Sequence, residues 1–276
     1  MISVIIPASN EAHYLGTCLD ALFGSVDEDG KPIGGQVIVV ANGCRDHTAE
    51  IARGYMKDKK AWDLHVIELQ EGSKPLALNA GDQAARFGLR AYLDADVVVS
   101  ARLLHQIVKV LSQDDGAIFA SGTPHIPPPR SWTSRAYARF WQGLPFNRAI
   151  AAAYGFFAVN PAGRARWGAF PNLISDDTFV RLQFLPEERR QVPARYDWPM
   201  IEGFAALRRV RRRQNLGVAQ ICTTYPHLMA REGKATLSKT ALLRQALQDP
   251  LGFAAYAAVA VAVKFGPSHS GFTRGR

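Results

Sequence analysis

The chain has 276 residues, 47% of them hydrophobic and 21% charged, with a formal net charge of +9. That balance excludes a disordered or fibrous chain and fits one large globular domain or two small ones. Three scattered cysteines, Cys18, Cys44 and Cys222, form no C-x-x-C pair, which argues against a disulfide framework or a zinc site and for a reducing cytosol.

The opening stretch MISVIIPASNEAHYL has no basic leader and reads as a first β-strand rather than a signal peptide. NEAHYLGTCLDALFGS then places Leu15, Cys18, Leu19 and Leu22 at helical spacing, with Asn10 as a candidate N-cap. QVIVVANG is a second buried strand, and RDHTAEIARGYM a second helix that Asp46 can cap. LHVIELQ and PLALNAGDQAARFG form a third strand and helix, and RAYLDADVVVS with ARLLHQIVKVLSQ a fourth. Strands alternating with helices at this interval predict an α/β fold with a mostly parallel central sheet flanked by helices. Ligands of such sheets bind beyond the carboxyl ends of the strands, which puts Ala8, Asn42, Gln70 and Asp94 along one rim.

The proline-rich GTPHIPPPRSW predicts a stiff connection, and the chain beyond it is richer in aromatics and arginine. LRRVRRRQNLG concentrates five arginines between Arg208 and Arg213, as a solvated helix face, a phosphate site or a contact with anionic lipid. No helix-turn-helix, RNP or zinc-finger pattern accompanies them, so nucleic acid is not expected as a partner. Leu251–Val263 is almost wholly apolar but too short to cross a bilayer, which takes about 20 residues. It is either a buried helix or one lying on a membrane surface, flanked by Lys264 and the terminal arginines Arg274 and Arg276.

Asp94 and Asp96 flank one alanine at the end of the fourth strand. Such a pair can hold a divalent cation against a diphosphate, supply a phosphatase nucleophile, or merely end a strand. YLDADVV fits the D-x-D-x-[TV] pattern of haloacid-dehalogenase-type phosphatases, but that pattern belongs on a first strand with a lysine after it. Here three strand-helix units precede it, and Lys74 lies upstream.

Taken together, the motifs resemble the nucleotide-sugar-dependent glycosyltransferases of family 2, with the GT-A fold. The similarity spans about Ile2 to Gly217 and keeps the family's motif order. It runs from the Pro-x-x-Asn-Glu of PASNE, through VIVVANGCRDHTAEIA, GSKPLALNAG and YLDADVVV, to the acidic pair of ISDDTFVRL. The resemblance implies inverting transfer of one sugar from a UDP- or GDP-linked donor. It puts Pro7, Ala8, Asn10, Glu11, Asn42, Lys74, Asp94 and Arg213 at the nucleotide, and Mn²⁺ or Mg²⁺ on Asp96 and Asp94. Asp177 is the implied base with Asp176 positioning it, and Ser175–Asp177 can also cap the next helix. His227 is a candidate third metal ligand, and Arg164, Arg166 and Trp167 candidates for the acceptor side.

Departures from the pattern carry meaning. Ala41-Asn42 stands where the family often has a base-recognising carboxylate, and the Q-x-x-R-W of processive members is reduced to Arg213, which favours one sugar per acceptor. The expected organisation is a GT-A domain over 1–230, with a nucleotide-binding half (1–123) and an acceptor-binding half (131–230). A helical extension over 231–276 would follow, packed on the domain or associated with membrane. The expected partners are a nucleotide-sugar donor and a polysaccharide or lipid-linked glycan acceptor, met in the cytoplasm or peripherally on the inner face of the cell membrane. A sugar-1-phosphate nucleotidyltransferase would need a G-x-G-T-R loop that PASNEAHYLG lacks, and a non-catalytic basic membrane- or polyanion-binding scaffold would have shed the acids.

Overall fold

The computed structural model describes residues 1–57, 61–144, 147, 150–233 and 237–265. β1 (Ile2–Ala8), β2 (Gly35–Asn42), β3 (Trp62–Leu69) and β4 (Leu89–Leu93) run parallel in the order β3-β2-β1-β4. They alternate with α1 (Leu15–Phe23), α2 (Thr48–Gly54) and α3 (Lys74–Ala84), as the sequence pattern predicts. β1 and β2 read as continuous apolar runs because both of their faces are covered. Val4 and Ile6 pack with Leu15 and Leu19 of α1 on one face, and Ile5 with Ala77 and Leu78 of α3 on the other. Chain order reverses at β1, with β2 to one side and β4 to the other, and such a switch point leaves a crevice beyond the strand ends.

β4 pairs antiparallel with β7 (Phe156–Val159), and β6 (Phe119–His125), β8 (Arg189–Asp197) and β5 (Val98–Val99) complete one eight-stranded sheet. The stretch RAYLDADVVVS is therefore not one strand. β4 stops at Leu93, a turn holds Asp94 and Asp96, and β5 pairs with β8 as an edge strand of the sheet. The turn is closed by the Asp94 N–H donating to the Gly155 carbonyl (2.8 Å) and the Val97 N–H to the Asp94 carbonyl (3.1 Å). The proline-rich connection also begins later than expected. Gly122–Pro124 lie within β6, beyond the two positions where β6 pairs with β7, so Pro124 needs no partner on that side.

Asn10 is not the cap of α1, which starts at Leu15 with Tyr14 ahead of it. Asn10 instead adopts a left-handed φ of 59° and accepts the Arg45 N–H on its Oδ1 (2.7 Å). Asp46 behaves nearly as expected, accepting from the Thr48 N–H (3.1 Å) and hydroxyl (2.6 Å) at the start of α2.

The remaining helices are α4 (Leu103–Leu111), α5 (Trp132–Gln142), α6 (Pro161–Arg164), α7 (Asp176–Arg181), α8 (Phe204–Thr224), α9 (Lys239–Gln248) and α10 (Pro250–Phe265). α10 packs on α5 and α8: Val259 is buried with Tyr137 and Leu207, and Phe253 and Tyr256 meet the Phe140 ring. α9 is tied to the same helix by Gln245 Nε2 donating to the Phe140 carbonyl (2.6 Å), and Asp249 pairs with Arg139 (2.7 Å). Among the described residues no helix is long and apolar enough to cross a membrane. The terminal arginines lie outside the described residues.

Candidate active site

A cleft of about 360 Å³ opens beyond the carboxyl ends of β1, β2 and β4. Of the nucleotide-side candidates, Pro7, Asn10, Glu11, Asn42, Lys74, Asp94 and Arg213 line it, as do Asp96, Asp176 and Asp177. The loop after β1 is held by the loop after β2: the Glu11 N–H donates to Thr48 Oγ1 (2.8 Å) and the Ala12 N–H to Asp46 Oδ2 (3.1 Å). Gly43, at φ +55°, lets the loop after β2 meet the loop after β3, since a Cβ there would lie 2.5 Å from the Gly72 nitrogen.

Two expectations at this rim are corrected. Ala8 is fully buried and does not line the cleft; its carbonyl accepts the Asn42 side-chain amide at 2.9 Å. Gln70 also stays outside the lining, and Gly72 takes the rim position after β3. Asn42 lines the cleft but is nearly buried, and its amide donors go to the Ala8 and Val40 carbonyls. It shapes the strand ends from within.

Lys74 is the first residue of α3, whose N-cap Ser73 accepts the Leu76 N–H and whose second residue is Pro75. Its ammonium lies 2.9 Å from Asp94 Oδ1 and 3.1 Å from Asp176 Oδ2, so it joins the end of β4 to the start of α7. Burial favours the neutral amine, but Asp176, Asp94 and Asp177 outweigh it and hold the lysine well above its ordinary value. Asp176 is itself pushed up to about 6, first by burial and then by Asp177 and Asp94, against the pull of Lys74. Asp177 is half-buried, and its Oδ1 accepts the Thr178 N–H at the first turn of α7 (2.6 Å). Beneath the cleft, burial and then Asp96, Asp94 and Glu11 push the Cys18 thiol far up, so it stays protonated.

Asp94 and Asp96 present two hard carboxylates to the cleft; among the described residues no group of three His, Cys, Asp or Glu converges on a metal position. Two carboxylates fit Mn²⁺ or Mg²⁺ when phosphate oxygens and water complete the shell. His227, the candidate third ligand, is not among the residues that line the cleft. It is exposed on the turn Pro226–Arg231, edge-on to Tyr225, whose ring packs against Phe179. Arg164, Arg166 and Trp167 do not line the cleft either. Arg164 pairs with the buried Asp82 (2.8 Å) and lies over Trp167, which is core, while Arg166 pairs with Glu188.

The sequence reading missed the aromatic wall. Tyr137, Trp141, Tyr154, Trp198, Met200 and Ile201 line it, and Leu207, Val210, Arg211 and Gln214 of α8 close it at helical spacing. Arg211 donates to the phenols of Tyr137 (3.0 Å) and Tyr256 (2.7 Å), pinning α8 to α5 and α10. The only available signal was composition, because these aromatics come from separate segments without a shared spacing.

A mostly parallel α/β sheet flanked by helices, with a cleft at its switch point, is the architecture of the GT-A glycosyltransferases. The glycosyl transferase family 2 model matches residues 3–168, and the chain belongs to that family. Glycosyltransferase AglE of Haloferax volcanii is 32% identical over 111 residues, 40% of this chain and 35% of that protein, so the match spans about a third of that relative's length. Among solved structures, a mannosyltransferase from Pyrobaculum calidifontis in complex with GDP-Man and Mn²⁺ superposes with a TM-score of 0.60 at 21% identity, covering 97% of this chain and 76% of that one. Glucosyl-3-phosphoglycerate synthase from Mycobacterium tuberculosis, in complex with Mn²⁺, UDP and glucosyl-3-phosphoglycerate, superposes with a TM-score of 0.54 at 16% identity over 81% of this chain and 79% of that one. The family assignment removes the phosphatase reading of Asp94.

Proposed function

We propose that the chain transfers one sugar from a UDP- or GDP-linked donor to a glycan or lipid-linked acceptor, with inversion and with Mn²⁺ or Mg²⁺. The observation that carries this reading is the Lys74 bridge between Asp94 and Asp176, in a cleft at the switch point that Asp96 and Asp177 also line. The metal-bound nucleotide complexes of the two structural relatives support the donor and cation classes. The nucleotide-binding half over 1–123 supplies Lys74, Asp94 and Asp96, and the acceptor-binding half over 131–230 supplies Asp176 and Asp177.

Asp94 and Asp96 would hold the cation, which neutralises charge on the departing diphosphate. Lys74 adds a fixed cationic donor beside the same oxygens, and Arg213 another from α8. Asp177 accepts the proton of the acceptor hydroxyl as its oxygen bonds to the anomeric carbon. The anomeric carbon–oxygen bond to the diphosphate breaks on the opposite face, and its electron pair leaves with the diphosphate. Asp176 keeps Lys74 and Asp177 in register.

A second observation favours work at a membrane surface on the cytoplasmic side. α8, α9 and α10 carry eight lysines and arginines and no aspartate or glutamate, and Asp249, between α9 and α10, is already paired with Arg139. Along α10, Leu251, Ala254, Ala258, Val261 and Phe265 form an exposed apolar stripe at helical spacing beside Lys264. The α9–α10 extension thus packs on the domain with one face and offers the other to anionic lipid.

Calorimetry with UDP and GDP, with and without Mn²⁺, tests the transferase reading. Binding that EDTA and Asp96→Ala both weaken is expected; absence of nucleotide binding overturns it.

A further inference from the structure

The cleft has two chemically different walls. One carries Lys74 and the four aspartates, and the other is aromatic. Trp141 at the end of α5, Tyr154 just ahead of β7 and Trp198 just after β8 meet there as one cluster. Tyr154 and Trp198 stack with ring centroids 5.1 Å apart and planes 21° apart. Trp141 leans on both, at 5.3 and 5.9 Å. All three are half-buried, and the backbone N–H of Trp198 is anchored on the His125 carbonyl (2.8 Å).

This wall begins where the charged one ends. Gly155 has a φ of +69°, and a Cβ there would lie 3.0 Å from Trp198 Cδ1 and 3.3 Å from Asp94 Oδ2. The indole edge and the carboxylate therefore approach the same point, which glycine keeps open. Tyr154 also feels Asp177: burial first and that carboxylate second hold its phenol protonated, and its O–H donates to Asn147 Oδ1 (2.7 Å).

An acceptor hydroxyl that reaches Asp177 leaves the rest of its molecule on the adjoining surface. A pyranose has C–H faces that fit an indole, with hydroxyl groups at the ring edge left for polar partners. A small anionic acceptor would instead call on a cation, and of the cleft's cations Lys74 and Arg213 are those the transferase reading gives to the departing diphosphate, while Arg211 holds the phenols that pin α8. We propose that Trp198, backed by Tyr154 and Trp141, is the platform on which a terminal pyranose of the acceptor stacks, so that the acceptor is a glycan rather than a small anion. This rests on the transferase reading of the cleft.

Saturation-transfer NMR tests it on the full chain loaded with Mn²⁺ and UDP or GDP. The probes are methyl β-D-glucopyranoside, methyl α-D-mannopyranoside, glycerol 3-phosphate and farnesyl phosphate. At least one methyl glycoside is expected to receive saturation on its ring C–H protons. Trp198→Phe keeps that signal and Trp198→Leu weakens the glycoside about tenfold, the scale of one lost aromatic contact, with nucleotide affinity held in both. Cross-relaxation between the glycoside and the Trp198 ring in the unsubstituted chain gives a readout that no folding defect affects. Glycoside binding that survives Trp198→Leu, contacts that avoid the Trp198 ring, or binding of glycerol 3-phosphate or farnesyl phosphate alone overturns the proposal. Loss of UDP and GDP binding altogether would instead remove the transferase reading beneath it.

Discussion

Asp94 follows β4 and Asp176 opens α7, yet both close on the Lys74 ammonium, at 2.9 and 3.1 Å. Neither carboxylate would be stable so close to the other without it, since like charges in a partly dry cleft disfavour joint ionisation. The lysine thus couples the integrity of the cleft to its charge state.

Replacing Lys74 with methionine keeps the stem and removes the charge. Asp94, Asp176 and Asp177 are then left facing one another, and breaking a buried pair costs about 3–5 kcal/mol when the survivor stays dry. Lys74 is 31% exposed, so solvent screens part of that, and a loss of about 1–3 kcal/mol in denaturant unfolding is expected. A variant as stable as the parent would show that the bridge contributes little to the fold.

Asp176 makes stability depend on pH in a definite direction. Its folded value, about 6, lies above the ordinary 3.8, so the group favours folding while protonated. That contribution is whole below pH 4 and is lost as pH rises through 6. Asp176→Asn cannot titrate there. Relative to the parent it should gain stability as pH rises from 4 to 7, because it escapes the cost of ionising a buried carboxyl. Unfolding curves of the two proteins that stay parallel across that window would contradict the assignment.

The neighbouring acid should behave differently. Asp177→Asn removes the proton acceptor without touching the Lys74 bridge, so turnover should fall about 10²- to 10⁴-fold while nucleotide affinity stays put. Asp96→Ala should do the converse, abolishing the Mn²⁺ dependence of nucleotide binding. Full turnover in Asp177→Asn would move the base elsewhere.

What could be read in advance was whatever local pattern encodes. β1 to β4 and their helices follow from apolar runs alternating with helical spacing, and Asp94, Lys74 and Asp177 from motifs whose order survives in one dimension. Tertiary context decided the rest. Asn10 looks like a cap, yet the Arg45 N–H draws it into a left-handed turn. The three valines after Asp96 look like one strand's continuation, yet Val98 and Val99 pair across the molecule with Tyr196 and Asp197. Trp141, Tyr154 and Trp198 share no spacing at all, and only the packing of α5, β7 and β8 brings their rings together.

The exposed stripe of α10 leads to the last prediction. Val261 is 55% and Phe265 76% exposed, so substitution there leaves the packing of Val259 against Tyr137 and Leu207 untouched. Sinking two such side chains into a bilayer boundary is worth about 1.5–3 kcal/mol each, and each nearby lysine or arginine adds about 1 kcal/mol against anionic headgroups. The chain should therefore co-sediment with vesicles of phosphatidylcholine and phosphatidylglycerol at low salt, and far less with phosphatidylcholine alone. The double substitution Val261→Glu and Phe265→Glu should weaken that binding at least tenfold without changing nucleotide affinity, because the stripe lies on the side of α10 away from the cleft-lining helices. Equal binding to neutral vesicles would assign the attraction to apolar surface alone. A parent that ignores both vesicles and runs as a dimer, which the double substitution dissociates, would identify the stripe as a contact between copies of the chain.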